Sequence, residues 1–108
     1  MLIEFERWLQ TIYNKIQQNG YQIEVTKTYK DNNRSVQIDF DSENKIARIT
    51  FWKTWNLYEY SLQVIEVDSE ILLLNQYLEI ASDSEFNKVF DVFFEMLGVK
   101  LEEGNRGI

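Results

Sequence analysis

The chain contains no cysteine, no histidine and no proline, and only four glycines in 108 residues. Each absence removes a class of chemistry. Without cysteine or histidine there is no disulfide framework, no thiol nucleophile, no Cys/His zinc site and no imidazole to carry a proton. So few glycines leave no phosphate-cradling loop. Basic residues are also scarce: 11 Lys and Arg stand against 18 Asp and Glu, a formal net charge of −7. Affinity for nucleic-acid phosphates and anionic membrane surfaces comes from Lys and Arg, so neither is the expected partner. No run approaches the ~20 apolar residues that span a bilayer. Glu4 and Glu6 precede Arg7 where a secretory leader carries positive charge and a continuous apolar stretch. The expectation is a cytoplasmic protein.

Aromatic residues, by contrast, are plentiful: three Trp, six Tyr and seven Phe. A chain of this length buries roughly two-thirds of the surface it exposes when unfolded, enough for a core without metal or disulfide. One domain is expected over residues 1–101, with residues 102–108 as a flexible tail.

Periodicity then sets the expected elements. Leu2, Phe5, Leu9, Ile12 and Ile16 recur at spacings of three and four, which predicts an amphipathic helix ending at Asn19-Gly20. From Tyr21 the period becomes two. Tyr21, Ile23 and Val25 form one apolar alternation, Val36, Ile38 and Phe40 a second, and Ala47, Ile49 and Phe51 a third. Turns at 31–33 and 41–44 separate them, as in an antiparallel meander. A fourth strand runs from about Tyr58 to Val67, but Ile65 and Val67 fall out of phase with Tyr58, Tyr60, Leu62 and Val64. A β-bulge near Val64-Ile65 would return them to the inner face. Residues 71–80 fit a strand buried on both faces or a short helix, and the tight connection favours a strand. Ser82-Asp83-Ser84-Glu85 reads as a capping box with Ser82 as N-cap. Phe86, Val89, Phe90, Phe93 and Leu97 then form a helical stripe, widened by Val92, Phe94 and Met96 and closed by Gly98. The expected class is α+β: an N-terminal helix, an antiparallel meander of five strands (four to six) and a C-terminal helix, both helices on one face of the sheet.

Charge is unevenly spread along this order. Residues 1–53 hold eight basic and seven acidic side chains, whereas residues 54–108 hold three basic and eleven acidic. Between Thr54 and Asn87 there is no basic residue, but Glu59, Glu66, Asp68, Glu70, Glu79, Asp83 and Glu85 are all there. A one-sign field attracts a basic partner and speeds its approach; it also suits plain solubility. Phe51, Trp52, Trp55, Tyr58 and Tyr60 crowd into ten residues. Alternation cannot send all of them inward, so some of Trp52, Trp55 and Tyr58 belong on the open face or at the loop. Trp and Tyr are enriched in binding hot spots, although cross-strand aromatic packing also accounts for them. Stacking platforms for single-stranded nucleic acid need a basic groove, and this neighbourhood is acidic. Asp39 and Asp41 share a strand face and form a carboxylate pair, which a solvated outer face explains more cheaply than catalysis. The candidate partner-binding residues are Trp52, Trp55, Tyr58, Glu59, Glu66 and Asp68, then Asp39 and Asp41. No catalytic residue, cofactor or metal is expected.

The runs Asn33-Arg34-Ser35-Val36-Gln37-Ile38-Asp39-Phe40-Asp41, Ala47-Arg48-Ile49-Thr50-Phe51-Trp52 and Val64-Ile65-Glu66-Val67-Asp68 resemble segments of the immunity TriTu family. That family comprises small immunity proteins of bacterial polymorphic-toxin systems. The opening helix to Gly20 and the closing helix after Ser82 match in order and length, so the resemblance spans about residues 1–97. Two features depart from it. Lys53-Thr54-Trp55-Asn56 stands where a glycine-containing turn is expected, and Tyr58 to Leu62 is more aromatic and less acidic. The resemblance implies a stoichiometric blocker of a cognate toxin domain, often a nuclease with a basic surface, and it transfers no catalytic motif. A monomer or weak dimer fits that role. The alternative from another class is a small acidic secretion-type chaperone or adaptor holding an effector segment, typically as a dimer.

Overall fold

A computed structural model describes residues 2–30, 33–55, 57–81 and 85–101, the side chains of residues 30 and 33 excepted. Helix α1 (Leu2–Gln18) leads into strands β1 (Gln22–Lys30), β2 (Asn33–Asp41), β3 (Lys45–Thr54), β4 (Leu57–Glu66) and β5 (Ile71–Glu79). Two short helices follow, α2 (Phe86–Val89) and α3 (Asp91–Met96). The five strands form one antiparallel sheet in chain order, β1-β2-β3-β4-β5. That is the meander expected from short turns between alternating segments.

Alternation and register explain why one sheet face carries the core. Val36, Ile38 and Phe40 of β2, Ala47, Ile49 and Phe51 of β3, and Tyr60, Leu62 and Val64 of β4 are all buried. They stand opposite one another across the strands, as in the pairs Ile38 with Ile49 and Ile49 with Leu62. Onto this face α1 lays its predicted stripe of Leu2, Phe5, Leu9, Ile12 and Ile16. The C-terminal helices add Phe90, Phe93, Phe94 and Leu97. Phe5 ties the layers together: its ring stacks on Phe51 at 4.5 Å and meets Phe90 edge-on at 5.8 Å. Trp8 stacks on Phe90 and donates its indole N–H to Asn87 Oδ1 at 2.7 Å, which fastens α1 to α2. Among the described residues no helix covers the opposite sheet face, where Ile46 and Ile65 are exposed, which leaves a half-solvated antiparallel sheet.

Glycine closes helices where the sequence places it. Gly20 and Gly98 both take positive φ, +92° and +77°. At Gly98 the Val99 N–H bonds the Phe94 carbonyl and the Gly98 N–H bonds that of Glu95, the paired closure of a Schellman motif. Val99 and Leu101 then turn back into the core, and the buried Tyr21 hydroxyl donates to the Leu97 carbonyl at 2.9 Å.

Four expectations change in detail. The C-terminal stripe is not one helix: it bends at Phe90, whose φ and ψ are −104° and 11°. The bend lies where Phe90 seats its ring among Phe5, Trp8 and Tyr60. Val92 consequently points outward and is exposed. The helix begins with Glu85 as N-cap, in extended conformation and without a side-chain cap bond. Ser82, the predicted N-cap, lies outside the described residues, as do Asp31 and Asn32 of the first turn and the tail at 102–108. The register shift falls between Val64 and Ile65 as predicted, but the extra residue is Leu73 in β5. Ile65 therefore stays in regular register with Ile46 on the uncovered face. Finally, β5 is a strand that is mostly exposed rather than buried on both faces, because the meander puts it at the sheet edge while the helices cover the middle strands. The same thinning at the other edge leaves Ile23 half-buried and Val25 exposed.

Candidate functional site

The uncovered sheet face divides into an aromatic end and an acidic end. At the aromatic end Trp52 of β3 pairs directly with Glu59 of β4. The indole N–H donates to Glu59 Oε1 at 3.1 Å, and the Tyr77 hydroxyl of β5 donates to Glu59 Oε2 at 2.7 Å. Trp52 and Tyr77 also meet edge-to-face at 5.2 Å. Both oxygens of one carboxylate thus lock two aromatic rings in place across three strands, which preorganises a contact surface.

Just beyond them is the β3–β4 tip. Thr54 pairs with Leu57, so the loop has only two residues, and Trp55 is one of them. Its φ is +57° and its side chain is 70% exposed. Two-residue hairpin loops demand positive φ, normally supplied by Asn or Gly. A tryptophan held there is uncommon and carries a steric cost. Backbone strain at a bulky exposed side chain points to a use for that side chain.

The acidic end is about seven residues away along β4, roughly 23 Å at strand rise. Glu66 closes β4 and accepts the Ser69 hydroxyl at 2.8 Å, and Asp68 stands exposed in the following turn. Asp39 and Asp41 lie on β2 at this same end, since Asp41 pairs with Ile46 and Lys45 with Glu66. Asp39 is not a free charge: Arg48 Nε donates to Oδ1 at 2.7 Å and Gln37 Nε2 to Oδ2 at 3.1 Å. Asp41 is exposed, and Glu24 of β1 stands directly opposite Asp39. A shallow hollow of about 180 Å³ beside Arg48 is lined by Asp39, Ile46, Gln63 and Ile65. Among the described residues no group of three or more carboxylates is placed to hold a metal ion, and no helix is long and apolar enough to cross a membrane.

The eight candidates therefore separate. Trp52, Glu59 and Trp55 gather at one end of the uncovered face; Asp39 and Asp41 lie on that face toward the other end, where Glu66 closes β4 in the phase of the core face and Asp68 stands in the turn. Tyr58 leaves the group: it shares the phase of Tyr60 and Leu62, packs against the core, and has Lys53 Nζ 5.7 Å from its ring centroid. Sequence reasoning missed Tyr77, Ile46, Ile65 and Leu72. Tyr77 lies in the segment 71–80, whose sequence fits either a strand buried on both faces or a short helix and so does not give its side chain a face. Ile46, Ile65 and Leu72 line up across three strands on the uncovered face, a row that exists because the bulge lies in β5 and leaves Ile65 in register with Ile46.

The contact between Tyr77 and Glu59 has a pH signature. The hydrogen bond to the Glu59 carboxylate, followed by desolvation and the charges of Glu59 and Glu79, raises the Tyr77 pKa above its ordinary value of 10.0. A hydroxyl whose pKa rises on folding contributes stability that is fully present below the unfolded value and lost as pH climbs through the folded one. The clasp is thus intact across the neutral range and opens in alkali. In a tyrosinate absorbance titration, Glu59→Gln is expected to bring one of the late-titrating tyrosines back toward 10; an unchanged curve contradicts the clasp.

Comparison with known families gives a match over most of the chain. The model described as Immunity protein TriTu aligns with residues 3–96, from the first turn of α1 to the last residue of α3. No curated protein matches the chain.

Proposed function

This chain belongs to the TriTu family of immunity proteins, and from that premise we propose that it neutralises a cognate toxin domain by binding it stoichiometrically and occluding it. The observation that carries the reading is the uncovered sheet face, which ends in an exposed, backbone-strained Trp55 beside the Trp52–Glu59–Tyr77 clasp. An anchored aromatic patch is the usual energetic centre of a protein interface. The acidic end and the charge asymmetry of the second half supply steering toward a basic surface, such as the phosphate-binding face of a nuclease. The protein acts without catalysis or cofactor, in the cytoplasm, as a monomer or weak dimer, and engages neither nucleic acid nor membrane.

The test is binding of the toxin domain encoded by the neighbouring gene. A complex that restores growth when the toxin is expressed supports the reading; no complex and no rescue contradict it. Where the complex forms, its association rate is expected to fall by about tenfold or more between low salt and ~0.5 M salt, since the Debye length shrinks below the range of steering. A rate independent of salt removes the steering role.

A further inference from the structure

The two edges of the sheet are defended unequally. Natural proteins blunt an exposed edge with lysine, proline, shortness or a covering element, because its unpaired N–H and C=O groups are a template for another strand. β1 follows that rule and carries Lys27 and Lys30. Lys27 is further engaged by Glu6 of α1. β5, Ile71-Leu72-Leu73-Leu74-Asn75-Gln76-Tyr77-Leu78-Glu79, has no basic residue and no proline. It exposes Ile71 at 54%, Leu72 at 50% and Leu78 at 44%. Its one irregularity, the bulge at Leu73, leaves Leu74 to Glu79 in regular register with β4.

The outward amides of this stretch can be assigned. The Ile80 N–H bonds the Tyr58 carbonyl at 2.9 Å, so Ile80 faces β4. Peptide groups alternate along a strand, so Leu78 and Gln76 face β4 as well. The N–H and C=O groups of Asn75, Tyr77 and Glu79 then point away from the sheet. Acid flanks the stretch at both ends: Glu66, Asp68 and Glu70 at its start, Glu59 and Glu79 at its finish.

We propose that β5 is a strand-addition site, and that its occupant is an extended segment of the toxin domain, apolar in its middle and carrying Lys or Arg at both ends. The proposal rests on the immunity reading and adds the mode of binding to it. Main-chain hydrogen bonds to Asn75, Tyr77 and Glu79 give affinity, the exposed leucines give apolar contact, and opposite-charge pairs at the ends fix register. Charge selects this occupant over a second copy of β5. Antiparallel self-pairing brings the Glu79 end of each copy against the Glu70 end of the other, like charge on like charge.

Hydrogen exchange and affinity test it together, with the toxin domain from the neighbouring gene as the probe. In the wild-type complex the Asn75, Tyr77 and Glu79 amides are expected to change from fast to slow exchange. Asn75→Pro removes one outward N–H while sparing those bonded to β4, a substitution that edge strands tolerate. It is expected to weaken the complex by about tenfold to a hundredfold, because a partner carbonyl buried at the interface is left unpaired. A complex that forms while all three amides stay in fast exchange overturns strand addition and leaves the immunity reading standing. Protection of the same amides in the free protein, rising with its concentration, overturns it in favour of self-pairing. Absence of any complex contradicts the immunity reading and this proposal with it. The exchange measurement needs no variant, so the outcome does not depend on Asn75→Pro folding.

Discussion

Replacing Phe5 with alanine is expected to destabilise the fold by about 3–5 kcal/mol, the range for deleting a fully buried aromatic ring. Phe5 is the residue through which α1 reaches both the sheet and the C-terminal helices, in contact with the rings of Trp8, Phe51, Phe86 and Phe90. It is 0% exposed. Removing it leaves a void between layers that neighbouring rings cannot fill without leaving their own contacts. Domains are stable by only about 5–15 kcal/mol, so much of the margin goes with one side chain. Ile3 on the same helix is the control. It is 62% exposed, and Ile3→Ala should stay within about 0.5 kcal/mol of wild type. Urea unfolding of both variants separates the two effects, and a loss below about 1 kcal/mol for Phe5→Ala contradicts the layered core described above.

Trp55→Gly is expected to move stability and binding in opposite directions. Glycine takes a φ of +57° without the Cβ clash that tryptophan suffers there. The indole is 70% exposed and contributes little to folding. The variant should therefore unfold at higher denaturant, by about 1 kcal/mol. The same change deletes the most exposed aromatic anchor on the uncovered face, and affinity for the toxin domain should fall by about 2 kcal/mol or more, near thirtyfold. Few substitutions stabilise a protein while disabling it, and those that do mark strain held for function. Loss of both properties would assign Trp55 to the fold. Gain of stability with unchanged affinity would remove it from the interface.

Much of this arrangement is legible in the residues, and the parts that are not have physical reasons. The stripe of α1, the alternations of β2 and β3 and the glycine stops are local patterns with one reading each, and Val36, Ile38, Phe40, Ala47, Ile49 and Phe51 are buried as their period demands. Tyr58 shows where two local signals have to be weighed against each other. Aromatic crowding implies that some of Trp52, Trp55 and Tyr58 lie outward without saying which, and the phase that Tyr58 shares with Tyr60 and Leu62 carries it to the core face. The segment 71–80 was ambiguous because leucine runs look alike in a buried strand, a helix and an exposed edge; only its place at the end of the meander determines that it is exposed. Phe90 divides the closing helix although the apolar spacing runs through it unbroken, since the cause is its tertiary seat among Phe5, Trp8 and Tyr60. At the candidate site, Trp52 and Glu59 were named from sequence, but their bond depends on register, and Tyr77 joins them from a strand 18 residues further on. The carboxylates at Asp39 and Asp41 read as a pair, whereas Asp39 is spent on Arg48 and Gln37 and only Asp41 is left open to solvent.

The central claim is neutralisation by occupancy, and titration of the toxin domain's activity tests it most directly. Increasing amounts of the protein are added to a fixed amount of toxin domain well above the dissociation constant, and residual toxin activity is followed. Occlusion predicts a linear fall that breaks at one equivalent, with toxin recovered chemically unchanged and active after the complex is dissociated. Full inhibition at a small fraction of an equivalent, or toxin that stays inactive after separation, would mean catalysis and contradict the account.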